Sequence, residues 1–203
     1  HFREEFLTEL KTLSLEEEFL LIYDEVQTGV GITGNMWAHQ AFSEKARPDI
    51  ISFGKKTQVC GIFASNRLDE VENHVFSESS RINSTWGGSL VDMVRFTLYL
   101  EIIENEDLVN NAKEMGNHLS KCLENLQNNH PAYISNIRNR GLFGAFDLNT
   151  GDERDKLADI ILNEGAMMLG CGKKSIRFRP HLNITSDEID SGFEMIDAAL
   201  KRL

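Results

Sequence analysis

Two short apolar runs that each end in a charged side chain constrain the fold of this chain more than any other feature. The run at residues 19–23 is followed at once by Asp24, and a second run at 50–53 leads through a glycine into Lys55. Continuous apolar runs are typical of strands buried on both faces of a parallel sheet. Ligands of open α/β sheets bind at the edge where such strands end. We therefore predict a ligand site at this edge, with Asp24 and Lys55 on it.

The remaining hydrophobic pattern alternates between helix and strand and changes character near residue 105. Helical spacing of apolar residues predicts helices at 3–14, 89–104, 108–126, 152–163 and 185–200. Short apolar runs predict further strands at 60–64, 133–138, 142–148 and 175–178. The first half has the rhythm of an α/β sheet. We predict that residues 1–104 are part of a large, parallel-sheet domain and that residues 105–203 form a small α+β domain.

Charge, hydropathy and cysteine content argue against several classes of function. The formal net charge is −11 at pH 7, whereas a nucleic-acid-binding surface needs a positive footprint. No apolar run approaches the ~20 residues that a transmembrane helix needs, so we expect neither a nucleic-acid nor a membrane partner. Cys60, Cys122 and Cys171 lie far apart, and they predict neither a disulfide framework nor a metal site. A reducing, cytoplasmic location fits this cysteine usage best.

The residues that follow the two strands have a functional and a structural interpretation. Asp24 opens the segment DEVQTG, where it is either a solvated turn residue or a carboxylate that faces a ligand. Gln27, in the same segment, can donate and accept hydrogen bonds. Lys55 is either a solvated turn lysine or an amine whose pKa is lowered by burial or a neighbouring cation, which would make it a nucleophile. Lys56, one residue later, is expected to point elsewhere.

Two further segments carry polar groups suited to anions. The segment NSTWGG precedes a predicted helix, and its Ser84 and Thr85 either hold an anion together with backbone N–H groups or simply cap the helix. Arg177 interrupts a short apolar strand. Its planar guanidinium group suits a carboxylate ligand, and the alternative is an internal ion pair.

The segment GVGITG at residues 29–34 offers a different function, because it fits the glycine pattern of dinucleotide-binding folds. It follows a predicted strand, and Asp49 lies where an acid that binds ribose would be expected. Two observations count against this alternative. The acidic pair at 24–25 would repel a pyrophosphate, and residues 35–42 are too short and too poorly patterned for a crossover helix.

Four segments taken together resemble the class III (subgroup II) aminotransferases, which use pyridoxal 5′-phosphate (PLP). They are LLIYDEVQTGVGITG at 20–34, PDIISFGKK at 48–56, NSTWGG at 83–88 and IRFRPHL at 176–182. FGKKTQVCG and STWGG are most similar to the L-lysine 6-aminotransferases of this family. The resemblance implies a PLP-dependent transferase fold of type I, of which this chain would be the second half of the large mixed or parallel-sheet domain plus the C-terminal small α+β domain.

The resemblance also implies a role for each candidate residue. Asp24 would pair with the pyridine nitrogen of PLP, Val26 would pack against the ring, and Gln27 would bond its phenolic oxygen. Lys55 would form the Schiff base and move a proton during the reaction. Lys56 would be a surface or phosphate-side neighbour.

The remaining implied roles require a homodimer with a shared active site. Thr85, or less favourably Ser84, would reach the cofactor phosphate of the neighbouring subunit. Arg177 would grip the α-carboxylate of the substrate and leave the ε-amine of L-lysine free to react. The implied products are the 6-semialdehyde and, from 2-oxoglutarate, L-glutamate.

The sequence leaves several alternatives open. The chain starts at His1 and lacks the upstream parts of such enzymes, so we expect a fragment that is inactive by itself. The same residues would serve another ω-aminotransferase that acts on ornithine, acetylornithine or 4-aminobutyrate. An NAD-binding domain and a catalytically dead fragment are the remaining candidates.

Overall fold

The chain folds into two compact units in a computed structural model that describes residues 2–82 and 88–203. Residues 2–31 and 35–107 form what we call the N-terminal unit, and residues 32–34 and 108–203 form the C-terminal unit. The helices are α1 (Glu4–Glu16), α2 (Leu90–Asn105), α3 (Leu108–Asn129), α4 (Gly151–Asn163) and α5 (Ser186–Leu200). The strands are β1 (Ile22–Asp24), β2 (Ile50–Phe53), β3 (Gly61–Ala64), β4 (Ser135–Arg140), β5 (Phe143–Asp147), β6 (Leu169–Cys171) and β7 (Ser175–Phe178). The assignment of residues 1–104 and 105–203 to a large and a small domain stays a prediction.

The N-terminal unit contains a mixed three-stranded sheet in the order β1-β2-β3. β1 and β2 are parallel, with Asp24 opposite Ser52, whereas β3 runs antiparallel to β2. The expectation of strands buried on both faces is wrong for this chain, since Phe63 of β3 is 51% exposed. β1 also starts three residues later than predicted. The reason is that Leu21 uses its carbonyl to accept from the N–H groups of Asp49 and Ile50 at the entrance to β2.

A buried carboxylate, Asp49, fixes the start of this sheet to α1. Its Oδ2 accepts hydrogen bonds from the Leu21 N–H at 2.8 Å and from Arg67 at 2.9 Å, and its Oδ1 accepts from Lys11. Burial alone would raise the pKa of Asp49, but the N–H of Leu21 and the charges of Lys11 and Arg67 outweigh burial and lower that pKa. Asp49 therefore holds the fold together as a carboxylate.

These contacts show that the dinucleotide-binding alternative was wrong. Asp49 is 3% exposed and engaged by two cations, so it cannot bind a ribose. The glycine segment at 29–34 opens no α-helix either. Turns follow it, and then comes a 3₁₀ helix of four residues at Ala38–Ala41.

Replacing Asp49 by asparagine is expected to lower the free energy of unfolding by about 3 kcal/mol, because two partly buried cations lose their buried counter-charge. The folded-state pKa lies below the unfolded one, so this contribution is present above the unfolded pKa of about 3.9 and is lost as the pH falls through the folded value. Chemical denaturation at pH 7 and at acidic pH measures both effects. The control is Glu44→Gln, which removes an exposed ion pair with Arg47 and should change the free energy by no more than about 0.5 kcal/mol. An equal effect of both substitutions would contradict this assignment.

The C-terminal unit is an antiparallel sheet covered by helices. The strand order is β4-β5-β7-β6, and α3, α4 and α5 contribute to its core. Helical spacing places Leu119, Leu123 and Leu126 on the buried face of α3. The capping box predicted at the start of α5 is present, since the Thr185 hydroxyl accepts from the Glu188 N–H and Glu188 accepts from the Thr185 N–H at 2.8 Å.

Two details of this unit differ from the sequence prediction. β6 was missed, because a three-residue strand containing a glycine gives almost no periodic signal. The turn between β4 and β5 was predicted at residues 139–141, but residues 139 and 140 lie in β4. Gly141 lies in the turn with φ +52°, and a Cβ there would come within 2.5 Å of the Thr33 backbone. That close approach joins segment 32–34 to this unit, with the Leu142 N–H donating to the Ile32 carbonyl at 2.9 Å.

No helix within residues 2–82 and 88–203 has both the length and the apolar character needed to cross a membrane.

Candidate active site

The structure places Asp24 and Lys55 at the same edge of the N-terminal sheet. β1 ends at Asp24, and its parallel neighbour β2 ends at Phe53, two residues before Lys55. The pairing continues past the strand end, because the Glu25 N–H donates to the Ser52 carbonyl at 2.9 Å. The two ionisable groups therefore follow the carboxyl ends of adjacent strands, the usual place for a ligand in such sheets.

The carboxylate of Asp24 is exposed and only partly used. Its Oδ1 accepts hydrogen bonds from the Val26 N–H at 3.0 Å and from the Ser52 hydroxyl at 3.3 Å. No donor reaches Oδ2 from the described parts of the chain. The side chain is thus held in place through one oxygen, while the other remains available for a ligand.

Gly54 lets the segments after the two strands approach each other. A Cβ at Gly54 would lie 3.0 Å from the sulfur of Cys60 and 3.7 Å from a methyl of Val26. Cys60 leads into β3, and Val26 follows β1, so both neighbours crowd this position. A side chain at residue 54 would have to displace the sulfur of Cys60.

The backbone of Lys55 has an unusual conformation, which hydrogen bonds from neighbouring residues hold in place. Its φ is +54°, in the left-handed region that residues other than glycine seldom adopt. Its carbonyl accepts from the N–H and the side-chain amide of Gln58, at 3.1 and 3.2 Å. Gln58 is in turn bound by Arg95 of α2 at 3.0 Å. The exposed amine of Lys55 therefore stands on a turn whose conformation is set by its neighbours.

Lys56 has a structural contact that sequence reasoning missed. Its ammonium donates to the carbonyl of Gln27 at 3.3 Å and to the carbonyl of Gly29. The expected surface or phosphate-side position of Lys56 stays a prediction, and these two carbonyls are contacts that it did not include. Lys56 holds the segment after β1 against the turn after β2, whereas the Lys55 amine is exposed. The two adjacent lysines therefore differ in their contacts.

Arg177 lies in β7 of the C-terminal unit, opposite Ala145 and Leu169. No carboxylate pairs with it in the described segments 2–82 and 88–203, so the predicted alternative of an internal ion pair has no partner there. In the same sheet, Arg138 does form such a pair, with Asp147 at 2.8 Å. A guanidinium group that finds no carboxylate among the described residues is available to an external carboxylate.

The predicted phosphate ligands Ser84 and Thr85 lie outside the described residues.

Comparison with known proteins decides the family. The profile of the aminotransferase class-III family matches residues 1–200. The chain belongs to the class-III aminotransferases. An L-lysine-epsilon aminotransferase of Amycolatopsis lactamdurans is 45% identical over 201 residues, which is 98% of this chain and 44% of that protein. A probable mitochondrial 4-aminobutyrate aminotransferase of Caenorhabditis elegans is 33% identical over 198 residues, 98% of this chain and 40% of that protein.

The solved structure of a lysine aminotransferase from M. tuberculosis superposes with a TM-score of 0.94 at 44% identity. The match covers 100% of this chain and 46% of that one. It confirms the predicted fold class, an α/β transferase fold of type I. This class-III chain therefore spans less than half the length of these three relatives.

The residues at the sheet edge of this aminotransferase fit the cofactor that the family implies. The side-chain oxygen of Gln27 is buried and has no hydrogen-bond partner among the described residues. A buried amide oxygen without a partner costs free energy unless a ligand supplies the donor. Asp24 presents an oxygen without a donor, and Lys55 presents an exposed amine. A carboxylate and an amine are the two groups that a pyridoxal ring needs from its protein, and Gln27 offers an amide beside them.

Glu25, like Lys56, has a structural role in this region that the sequence did not reveal. It is 3% exposed and accepts from the N–H groups of Ala38 and His39, at 2.6 and 2.9 Å, and from the His39 ring at 2.7 Å. Asp24 and Glu25 are neighbours of the same charge, yet Asp24 is exposed and open to a ligand, whereas the Glu25 carboxylate is buried and hydrogen-bonded within its unit. Alternation of side chains at the strand end separates them.

Proposed function

We propose that this chain is part of a PLP-dependent aminotransferase that moves the ε-amino group of L-lysine to 2-oxoglutarate. The products are the 6-semialdehyde and L-glutamate. The observation that carries the proposal is the placement of Asp24 and Lys55 behind adjacent parallel strands, in a chain 45% identical to L-lysine-epsilon aminotransferases. Because the chain spans 44% of that length, the activity belongs to the full-length protein, which we place in the cytoplasm.

Each candidate residue has a physical task in this proposal. When bound, PLP supplies an electron sink that stabilises the carbanion formed beside the transferred amine. Asp24 keeps the ring nitrogen protonated through its negative charge. Gln27 and Val26 orient the ring, the first by a hydrogen bond and the second by packing. Lys55 would hold the cofactor covalently until the amine of the substrate displaces it, and the freed Lys55 amine would then take a proton from the ε-carbon of the substrate.

The substrate and the phosphate are assigned to the remaining candidates. Arg177 binds the α-carboxylate of L-lysine, since it has no carboxylate partner within the described part of its unit. Binding that end leaves the ε-amine as the group that reaches the cofactor, so distance rather than reactivity selects the amine. Thr85, with Ser84 as the alternative, binds the cofactor phosphate of a second subunit, so the active form is a homodimer.

Rates on amines of different length test this proposal. We expect the full-length protein to use L-lysine with a kcat/KM at least about tenfold above that for ornithine, which is one methylene shorter. The measurement is glutamate formation from 2-oxoglutarate with L-lysine, ornithine, acetylornithine or 4-aminobutyrate. A higher kcat/KM for one of the other three would replace the lysine assignment by that ω-aminotransferase. The absence of transfer from all four would argue against an active enzyme.

A further inference from the structure

A cluster of three metal-binding side chains lies in the C-terminal unit and shares no residue with the proposed aminotransferase site. His118 and Cys122 are one helical turn apart on α3, and Asp190 faces them from α5. The Nε2 of His118 is 2.6 Å from the Oδ1 of Asp190. The sulfur of Cys122 is 3.7 Å from the same nitrogen and 3.6 Å from the same oxygen. Within residues 2–82 and 88–203, this is the only group of its kind whose ligand atoms converge.

We propose that His118, Cys122 and Asp190 form a zinc site that joins α3 to α5. The ligand set decides the metal: imidazole, thiolate and carboxylate are the zinc ligands of proteins, whereas magnesium and calcium take oxygen ligands alone. Thiolate and carboxylate together balance the 2+ charge. The fourth position is left to water, because only three side chains converge.

The distances suit a tetrahedral ion with little movement. Zinc bonds of about 2.0 to 2.3 Å imply separations near 3.5 Å between sulfur and the other ligand atoms, and near 3.3 Å between nitrogen and oxygen. The two sulfur distances, 3.7 and 3.6 Å, already match. The nitrogen–oxygen distance of 2.6 Å has to open, and it can do so because the Asp190 side chain is 52% exposed.

A catalytic triad is the competing interpretation, and the geometry argues against it. In a cysteine–histidine–aspartate triad the thiol and the carboxylate bind different ring nitrogens. Here both meet the Nε2 of His118.

Zinc binds cysteine sulfur as the thiolate, so zinc binding displaces the proton of the Cys122 thiol. The thiol S–H bond breaks, the proton leaves to solvent, and a sulfur–zinc bond forms. Solvent reaches the site, because the His118 side chain is 31% exposed. The bound ion would connect two helices that are otherwise joined at this point by a hydrogen-bonded pair, and it would raise the stability of the unit in proportion to zinc occupancy.

The C-terminal unit supplies a matched control. His130, directly after α3, places its Nε2 at 2.6 Å from the Oδ1 of Asp197 on α5. This second pair has the same chemistry and joins neighbouring parts of the chain, but it lacks a thiol. The free Cys171 of the same unit serves as a control for the loss of a cysteine.

The test is competition for Zn²⁺ between the full-length protein and a chromophoric chelator. We expect one zinc ion per chain, with an affinity that Cys122→Ser, His118→Gln and Asp190→Asn each lower at least about tenfold. His130→Gln and Cys171→Ser should leave the affinity within about twofold of the unchanged protein. Circular dichroism verifies that each variant is folded. Because none of the five substituted residues is assigned to the proposed aminotransferase site, transamination rates in the absence of zinc should be the same in all five variants.

Cobalt substitution gives a second measurement that needs no variant. Co²⁺ at the proposed site should show the near-ultraviolet charge-transfer absorption of a cobalt–thiolate bond. The proposal is overturned if that absorption is absent, if Cys122→Ser binds zinc as tightly as the unchanged protein, or if His130→Gln weakens binding as much as His118→Gln.

Discussion

Replacing Lys55 by alanine is expected to lower the turnover of the full-length protein at least about ten-thousand-fold, because one amine serves both to hold the cofactor and to move the proton. The loss should appear in kcat, since the role proposed for Arg177 in binding the substrate carboxylate is unaffected by this substitution. Reduction with borohydride gives an independent measurement. It should attach the cofactor to Lys55 in the unchanged protein, as peptide mapping will show, and to no lysine in the variant.

The neighbouring lysine is the control for this experiment. Lys56 donates to the carbonyls of Gln27 and Gly29, so Lys56→Gln should weaken cofactor binding and lower thermal stability while the bound cofactor still reacts. The covalent attachment at Lys55 should persist. If Lys56→Gln abolished attachment and Lys55→Ala retained it, the roles of the two lysines would be reversed.

Replacing Asp24 by asparagine is expected to lower kcat about a hundred- to a thousandfold. An amide has nearly the same shape as the carboxylate, but it carries no charge to keep the ring nitrogen protonated. Because the Asp24 side chain is exposed and only its Oδ1 accepts hydrogen bonds from the described residues, the free energy of unfolding should change little. Steady-state kinetics and denaturation curves on the same preparation separate the two effects.

Glu25→Gln provides the opposite pattern one residue away. The Glu25 carboxylate accepts from two backbone N–H groups and the His39 ring, and an amide would bring its own donors against them. A loss of about 2–3 kcal/mol in the free energy of unfolding is expected, with kcat per folded molecule retained. Loss of stability in Asp24→Asn without loss of kcat would contradict the proposed role of Asp24.

The sequence was sufficient for the parts of the fold that depend on local pattern. β2 and β7 have the predicted bounds, and the capping box starts α5 where predicted. The position of Asp24 and Lys55 at one edge also followed, since charged residues directly after apolar runs mark strand ends. The features that the sequence did not predict depend on contacts between residues far apart in the chain. The direction of β3 depends on which strand it pairs with, and no local signal specifies the partner.

The same reason explains the site residues that the sequence did not reveal. The adjacent acids Asp24 and Glu25 cannot be told apart in the sequence. Glu25 is the buried one because the N–H groups of residues 38 and 39 donate to its carboxylate. Similarly, His118 and Cys122 show a helical spacing that can be recognised in the sequence. Their third partner, Asp190, is 68 residues beyond Cys122 and comes near only when α5 packs. Three scattered cysteines therefore gave no indication of a metal site.

The short segment at residues 32–34 has a consequence for dissecting this protein. The chain leaves the N-terminal unit after Gly31, returns at Asn35 and leaves again after Asp107. Ile32 is 1% exposed and belongs to a core cluster with Ala112 and Leu142. A truncated protein that begins after residue 107 would therefore have a cavity in its core at the position of the Ile32 side chain. Adding that tripeptide back as a tethered graft, rather than shifting the cut, is the way to obtain an excised half that folds.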